Sequence, residues 1–415
     1  MCTNTLSFEN PVLLAPMAGV NDPVFRRICR RMGAGLTYTE MISAAGLAHQ
    51  NAKSQSLLLA DESDRPLAVQ LFGHDPQTMA AQAAALADEY ADRLALIDIN
   101  MGCPARKIAS KGEGAALMRD PRLAEQIIRA VATAVSLPVT VKFRRGYFTG
   151  TETAVEFARM AESAGAAALA VHGRWAEQHY TGLADRTVIS RVKAAVGIPV
   201  IASGDVYTTD DIADYLQTYS ADAVMVARGA QGNPWIFAQA SQLFLGRNSG
   251  ATTMEATAQQ AEQVGAVLLS ADVSLTERTA EQTRATPLPA QVSLEERVAV
   301  AREHTIGLAE LLPHRLAAMR KHIAWYFKGI ENASEIRRRV NSCVLPEDYL
   351  SLLNMIASGE LGPAGEPHAT DQLGAAAEPH AAREPNAAAE PHATREPNAA
   401  AEPHAANQPN TSTRS

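Results

Sequence analysis

Along the first 240 residues, short apolar runs alternate with longer stretches of mixed polarity. The runs Val12–Leu14, Leu36–Tyr38, Leu67–Leu71, Leu94–Ile99, Val139–Phe143, Ala167–Val171, Pro199–Ala202 and Ala223–Val226 read as buried strands. Between most of them stand helix signals. Asp22-Pro23, Asp75-Pro76 and Asp120-Pro121 each place an N-cap carboxylate before a proline at the first helical position. Gly33, Gly165 and Gly197 fall where helices should close ahead of the next strand. The alanine-rich stretch 79–91 has high helix propensity and small side chains that pack on a sheet. Alternating strands and helices predict a parallel sheet. Eight such units predict an α/β fold closed as a (β/α)8 TIM barrel over residues 1–247. The rival, an open doubly wound sheet, wants Gly-x-Gly-x-x-Gly after its first strand, where this chain has Ala15-Pro16-Met17-Ala18-Gly19.

The pattern changes after the barrel. Residues 248–290 hold few large apolar groups and read as a linker or insertion. Residues 291–357 return to helical periodicity. Ser293 and Glu296 have capping-box spacing, and Ile306, Leu308, Leu311, Leu312, Leu316 and Met319 recur as on amphipathic helices. This predicts a small all-helical domain. In 358–415, Glu-Pro-His repeats at 366, 378, 390 and 402, and no large apolar residue follows Leu373. Such a segment buries too little surface to offset its chain entropy, so a disordered low-complexity tail is expected.

Composition narrows the function. Apolar residues make up 47% of the 415, enough for a sizeable core, and no run of eighteen or more apolar residues exists to span a membrane. The N-terminus has neither a basic start nor an apolar signal core. Cys2, Cys29, Cys103 and Cys343 are scattered with no Cys-x-x-Cys pair. A zinc site or disulfide framework is not expected, and a reducing cytoplasm fits. The net charge of −8 sits badly with nucleic-acid binding until it is divided along the chain. Residues 347–415 carry ten acidic and three basic groups, whereas 291–346 carry nine basic and six acidic.

In a barrel of this type, chemistry gathers at the C-terminal strand ends. Those ends read Pro16-Met17-Ala18-Gly19, Glu40-Met41, Gln70, Asn100-Met101-Gly102-Cys103-Pro104, Lys142-Phe143-Arg144-Arg145, His172-Gly173-Arg174, Ser203-Gly204-Asp205 and Arg228-Gly229. Polar groups, a thiol and glycines thus converge on one rim. Lys142 either snorkels to water or pairs with Asp98 or Asp205, or else supplies a fixed positive charge to an anionic ring. His172 is either a satisfied core histidine or a ligand contact. Gln70 either bonds to backbone or reads a ring edge. Ser203-Gly204-Asp205 with Ala227-Arg228-Gly229 offers backbone N–H groups and a guanidinium to a phosphate. Cys103, alone among the cysteines, follows a strand in a Gly-Cys-Pro loop, which points to use rather than packing.

Taken in order, several segments resemble the tRNA-dihydrouridine synthases, most closely the bacterial B-type branch. They are Pro16-Met17-Ala18-Gly19, Asn100-Met101-Gly102-Cys103-Pro104, Val171-His172-Gly173-Arg174, Ser203-Gly204-Asp205-Val206, the run from Ala227 to Trp235, and Arg320-Lys321-His322-Ile323-Ala324-Trp325-Tyr326. The resemblance implies bound FMN, NADPH or NADH as reductant, and uridine in tRNA as substrate. It implies FMN contacts from Pro16, Met17, Ala18, Gln70, Lys142, His172, Ser203, Gly204, Asp205, Ala227 and Arg228. Cys103 would donate the proton, and Asn100, Arg144 and Arg174 would face uridine or nearby phosphates. The helical segment would bind tRNA, with Arg315, Arg320, Lys321, Lys328, Arg337, Arg338 and Arg339 as phosphate partners, unless they form only a solvated face. A cytoplasmic monomer without metal is expected. The chain departs from the family pattern with Ser203 for the usual Asn, Ala227 for Gly and Arg186 for Trp. The competing readings are another FMN barrel enzyme reducing a free pyrimidine, and a non-catalytic RNA-binding protein with this fold.

Overall fold

The computed structural model describes residues 10–58, 64–245 and 292–361. The expected linker and the repeats of the tail lie outside the described residues. Nine parallel strand segments form one sheet: β1 (Val12–Leu14), β2 (Thr37–Tyr38), β3 (Ile42–Ser43), β4 (Leu67–Phe72), β5 (Leu94–Met101), β6 (Val139–Gly146), β7 (Ala168–Trp175), β8 (Val200–Ser203) and β9 (Ala223–Val226). Their order is β2-β1-β9-β8-β7-β6-β5-β4-β3, and a further pairing of β2 with β4 closes the sheet into a barrel.

β2 and β3 share one position, both against β4, so the closed barrel has eight staves. The strand expected at 36–38 is therefore two pieces parted by Thr39-Glu40-Met41. The break is bridged by a side chain: the Gln70 N–H donates to Thr39 Oγ1 at 3.1 Å instead of to a strand carbonyl. β5, β6 and β7 run to Met101, Gly146 and Trp175, beyond the ends that the apolar runs set. The ladder continues because the polar residues there face the barrel mouth.

Strand periodicity divides each stave between two environments. Leu13, Ala15, Ala68, Leu96, Ala168, Ala170, Ile201, Ala223 and Met225 pack inside the barrel. Residues of the other parity, such as Val12, Val69, Ile97, Val141 and Val171, pack with the surrounding helices. The caps form as expected. Asp22, Asp75 and Asp120 accept from the backbone N–H groups of Phe25, Thr78 and Leu123 at 3.0, 2.7 and 3.1 Å. Gly33 and Gly165 take positive φ just past their helices. Gly197 does not close its helix, which ends earlier at Lys193.

Helices Leu294–Leu311, Met319–Tyr326, Ala333–Val340 and Pro346–Ser358 make a lobe with its own apolar core. The first begins at the Ser293/Glu296 capping box. The core continues into the barrel's outer layer through Val24, Ile28 and Trp235. Gly232 shows how close the two parts come. A Cβ there would lie 2.3 Å from the carbonyl carbon of Trp325, and the glycine's φ is +70°. Deeper in this contact, Asp22, His304 and His322 are all buried. His304 Nε2 lies 3.1 and 3.0 Å from the two Asp22 oxygens and its Nδ1 lies 3.0 Å from the Tyr326 hydroxyl, which are hydrogen-bond distances.

Candidate active site

A cavity of about 400 Å³ opens at the C-terminal ends of the strands. Every expected site residue except Arg174 lines it: Pro16, Met17, Ala18, Gln70, Asn100, Cys103, Lys142, Arg144, His172, Ser203, Gly204, Asp205, Ala227 and Arg228. Alternation explains the assembly. Gln70 stands opposite Asp98 across β4 and β5, Asn100 opposite Lys142 across β5 and β6, and His172 opposite both Arg144 and Ser203.

The floor is a hydrogen-bonded polar layer. Asp98, fully buried, accepts from Gln70 Nε2 at 2.6 Å and from Thr140 Oγ1 at 2.5 Å. Burial nevertheless pushes its carboxyl up to about 6, because desolvation outweighs these bonds and the nearby Lys142 charge. Gln70 Oε1 accepts from Asn100 Nδ2 at 2.8 Å. Asn100 Oδ1 in turn accepts from the backbone N–H groups of Gly102 and Cys103, at 3.2 and 3.0 Å. The Cys103 carbonyl accepts from Ala115 N at 3.0 Å, so the loop carrying the thiol is pinned on both sides. The thiol is free and half-buried.

Lys142 is half-buried and makes no ion pair or hydrogen bond among the described residues. Pairing with Asp98 or Asp205 is thereby corrected: Asp98 spends its oxygens on Gln70 and Thr140, and Asp205 on Arg174 and Arg228. Desolvation, reinforced by Arg144, lowers the Lys142 ammonium to about 8. His172 is held neutral by burial and by the charges of Arg144, Lys142, Arg174 and Arg228. Gly204 packs against its ring: a Cβ there would come within 2.8 Å of His172 Cδ2 and of Ala184 Cβ, at a φ of +119°.

The arginines divide into two kinds. Arg144 donates to the carbonyls of Gly102, Trp175 and His179 at 2.8–2.9 Å, and its guanidinium lies over the Tyr180 ring. Arg174, buried behind the cavity wall, donates to the carbonyls of Thr181 and Gly182 and to Asp205. Both therefore brace loops, and Arg174 does not reach the cavity. Arg228 is the accessible cation of the last strand end. It is 39% exposed, bonds to Asp205 Oδ1 at 3.0 Å and sits between the Tyr180 and Tyr207 rings. The unusual Arg186 pairs with Asp211 and Asp214 and covers the face of Tyr215, away from the cavity.

The helical lobe reaches the rim. Lys321 donates to the Gly19 carbonyl, while the Gly19 N–H donates to Glu40 at 2.5 Å. Glu40 is paired with Arg315. The peptide just past Met17 and Ala18 is thus gripped from both faces. Other cations of the lobe also have partners: Arg320 with the Cys343 carbonyl, Arg337 with the Ser334 hydroxyl, and Arg338 and Arg339 with Glu335. Arg337 and Arg338 remain exposed.

Asp98, Thr140, Tyr180 and Tyr207 belong to this constellation and were not among the expected site residues. Parity could have found the first two. Asp98 interrupts an apolar run two residues before Asn100, and Thr140 stands two before Lys142. The tyrosines lie on loops where no periodic signal exists.

Comparison with known proteins points to one family. Residues 13–272 match the family model described as Dihydrouridine synthase (Dus). A protein of Xanthomonas axonopodis pv. citri named tRNA-dihydrouridine synthase B is 37% identical over 352 residues, covering 83% of this chain and 92% of that one. Its namesake from Vibrio parahaemolyticus is 37% identical over 334 residues, covering 80% and 91%. That of Pseudomonas aeruginosa is 43% identical over 231 residues, covering 56% and 69%.

Proposed function

This chain belongs to the dihydrouridine synthase family, and from that premise we propose that it reduces the C5=C6 bond of uridine in tRNA, with FMN in the barrel-mouth cavity and NADPH or NADH as reductant. The observation that carries the reading is the convergence, on one cavity, of a free thiol, an unpaired ammonium and an arginine-bearing last strand end.

The residues present fit a flavin mononucleotide. Ala15, Pro16, Met17 and Met225 give an apolar wall for a flat ring. Gln70 and Lys142 offer polar contacts at its edge. The turns at Ser203-Gly204-Asp205 and Ala227-Arg228, with the exposed guanidinium, suit a phosphate. When bound, FMN supplies the reducing equivalents taken from the nicotinamide.

The protein's own task is then to hold the uracil and protonate it. Adding hydride at C6 leaves negative charge at C5 and the adjoining carbonyl, and C5 must receive a proton. Cys103 Sγ, which lines the cavity on the loop fixed by Asn100, would give it. Arg144 and Arg174 shape the walls through the carbonyls they bind, and Arg228 and Tyr180 border the entrance. The uracil must leave its stack to enter, so the polynucleotide has to be held outside. The lobe's exposed Arg337 and Arg338 supply phosphate attraction for that. Such an enzyme works in the cytoplasm, where tRNA is, and a monomer carries every residue named.

The test is direct. Purified protein is denatured and its supernatant assayed for flavin, and the native protein is incubated with NADPH and unmodified tRNA. FMN release and dihydrouridine in the tRNA are expected. A flavin-free protein, or one that reduces free uracil as fast as tRNA, would overturn the reading.

A further inference from the structure

Beneath the cavity, three side chains form a hydrogen-bonded line from the barrel core to the reactive loop. We propose that Asp98 is a positioning residue for the Cys103 thiol, acting through Gln70 and Asn100. The proposal rests on the reading of the cavity given above.

The argument is one of donors and acceptors. A carboxylate only accepts, so Gln70 must turn its NH2 group down to Asp98, at 2.6 Å. Its carbonyl oxygen is then turned toward Asn100 and accepts from Nδ2 at 2.8 Å. Asn100 is left with its oxygen toward the loop, where it receives the Gly102 and Cys103 N–H groups at 3.2 and 3.0 Å. The two ends make matching demands: acceptor below, donors above. Each amide therefore has one orientation that leaves no group unpaired. Asp98 is fully buried and Gln70 nearly so, so at the lower end of the line little water is at hand to relieve a mismatch.

This explains a carboxylate kept in a place that opposes its charge. Apolar Leu96, Ile97 and Ile99 flank it in sequence, and burial raises its carboxyl to about 6. A neutral Asn would cost less to bury, but Gln70 Nε2 and Thr140 Oγ1 bond to different oxygens of Asp98, and an Asn would set its NH2 group against one of these donors. The groups that act on Asp98 are Thr140 and Lys142 on β6, Gln70 on β4 and the Tyr38 phenol on β2. Of these, Lys142 titrates near 8 and Tyr38 is pushed far above neutrality, so among the groups packed on Asp98 an acid limb near 6 is expected from Asp98 itself, and its loss in Asp98→Asn is what assigns it. As pH falls through that value, Asp98 gains a proton, becomes a donor as well, and stops dictating how Gln70 is turned.

The experiment compares the parent with Asp98→Asn in full-length protein. Single-turnover reoxidation of NADPH-reduced protein by tRNA is followed from about pH 5 to pH 8. The parent should lose rate below about 6, whereas Asp98→Asn should be slower by roughly 10- to 100-fold at neutral pH and lack that limb. Labelling of Cys103 by iodoacetamide, read by peptide mass spectrometry, needs no turnover. It should be roughly threefold or more faster in the variant, whose loop opens more often. Thr140→Val removes a bond that favours the charged form, so it should move the acid limb upward. Equal labelling together with an unchanged limb in Asp98→Asn overturns the proposal, as does a limb in Thr140→Val that stays in place. If the parent holds no flavin or leaves tRNA unreduced, the reading of the cavity fails instead, and the labelling comparison still judges Asp98.

Discussion

His304 Nε2 lies 3.0 Å from Oδ2 of Asp22, the residue that caps the first barrel helix Pro23–Arg31. One carboxylate thus ends a helix of the barrel and anchors a helix of the lobe. Burial alone would raise the Asp22 carboxyl, but the charge and hydrogen bond of His304 outweigh it and hold the group well below the ordinary carboxylate range.

Removing one partner of a buried pair leaves the other uncompensated, so His304→Ala should destabilise the protein by about 3–5 kcal/mol. A carboxylate whose folded pKa is depressed contributes stability above its unfolded value of 3.8, and loses it only as pH falls toward the folded value. The gap between parent and variant should therefore persist from neutrality down to about pH 4 and close in stronger acid. Thermal melts across that range are the check, and equal midpoints at pH 7 would show that the pair is not coupled to folding.

Cys103→Ala should retain bound flavin and its reduction by NADPH, since the thiol serves neither the ring edge nor the phosphate turns. Reoxidation by tRNA should slow by roughly 10²–10⁴, the usual loss for a positioned general acid. Cys103→Ser should be nearly as slow, because a hydroxyl is a far weaker acid. Reoxidation of Cys103→Ala at the parental rate would pass the proton donation to another group.

Lys142 titrates at about 8 and faces the cavity without a direct ion pair among the described residues. Its charge is complete below that value and lost above it. Activity that depends on this charge should fall on the alkaline side, with the limb absent from a slower Lys142→Met. A limb that survives in the variant belongs to a different residue.

Arg337→Ala with Arg338→Ala should weaken tRNA binding and flatten its dependence on salt by roughly one to two units of log–log slope. Arg339 is left in place because it packs inward, on Glu335 and Met355. Binding measured at several salt concentrations decides the matter: parallel lines for parent and variant would mean that this face does not meet RNA.

Much of this was legible in the chain, for reasons that differ by residue. All eight staves announced themselves as apolar runs, because both faces of a parallel barrel strand are dry. The run Leu36–Tyr38 showed only the first half of its stave; the piece Ile42–Ser43 was not legible, since a threonine side chain replaces part of the ladder between them. Strand-end polarity located the cavity, and all but Arg174 of the expected residues line it. The resemblance set Arg144 and Arg174 toward uridine or nearby phosphates, and the sequence did not show what holds them. Their partners are carbonyls, such as those of His179 and Gly182, and a carbonyl carries no mark in a sequence. The basic segment near the end was read correctly as basic. That Arg315 and Lys321 are used on Glu40 and Gly19 follows only from contacts hundreds of positions apart.

The grip on Gly19 bears on how such proteins can be recombined. A lobe transplanted from a relative would arrive with its own cations, yet the fit of the cavity loop depends on Lys321 meeting the Gly19 carbonyl and Arg315 meeting Glu40. Residues 19, 40, 315 and 321 form one hereditary unit that straddles the boundary between lobes. A chimera joined after residue 247 keeps half of that unit. Exchange of the helical lobe should therefore succeed between relatives that share all four positions and fail in cofactor retention between those that do not.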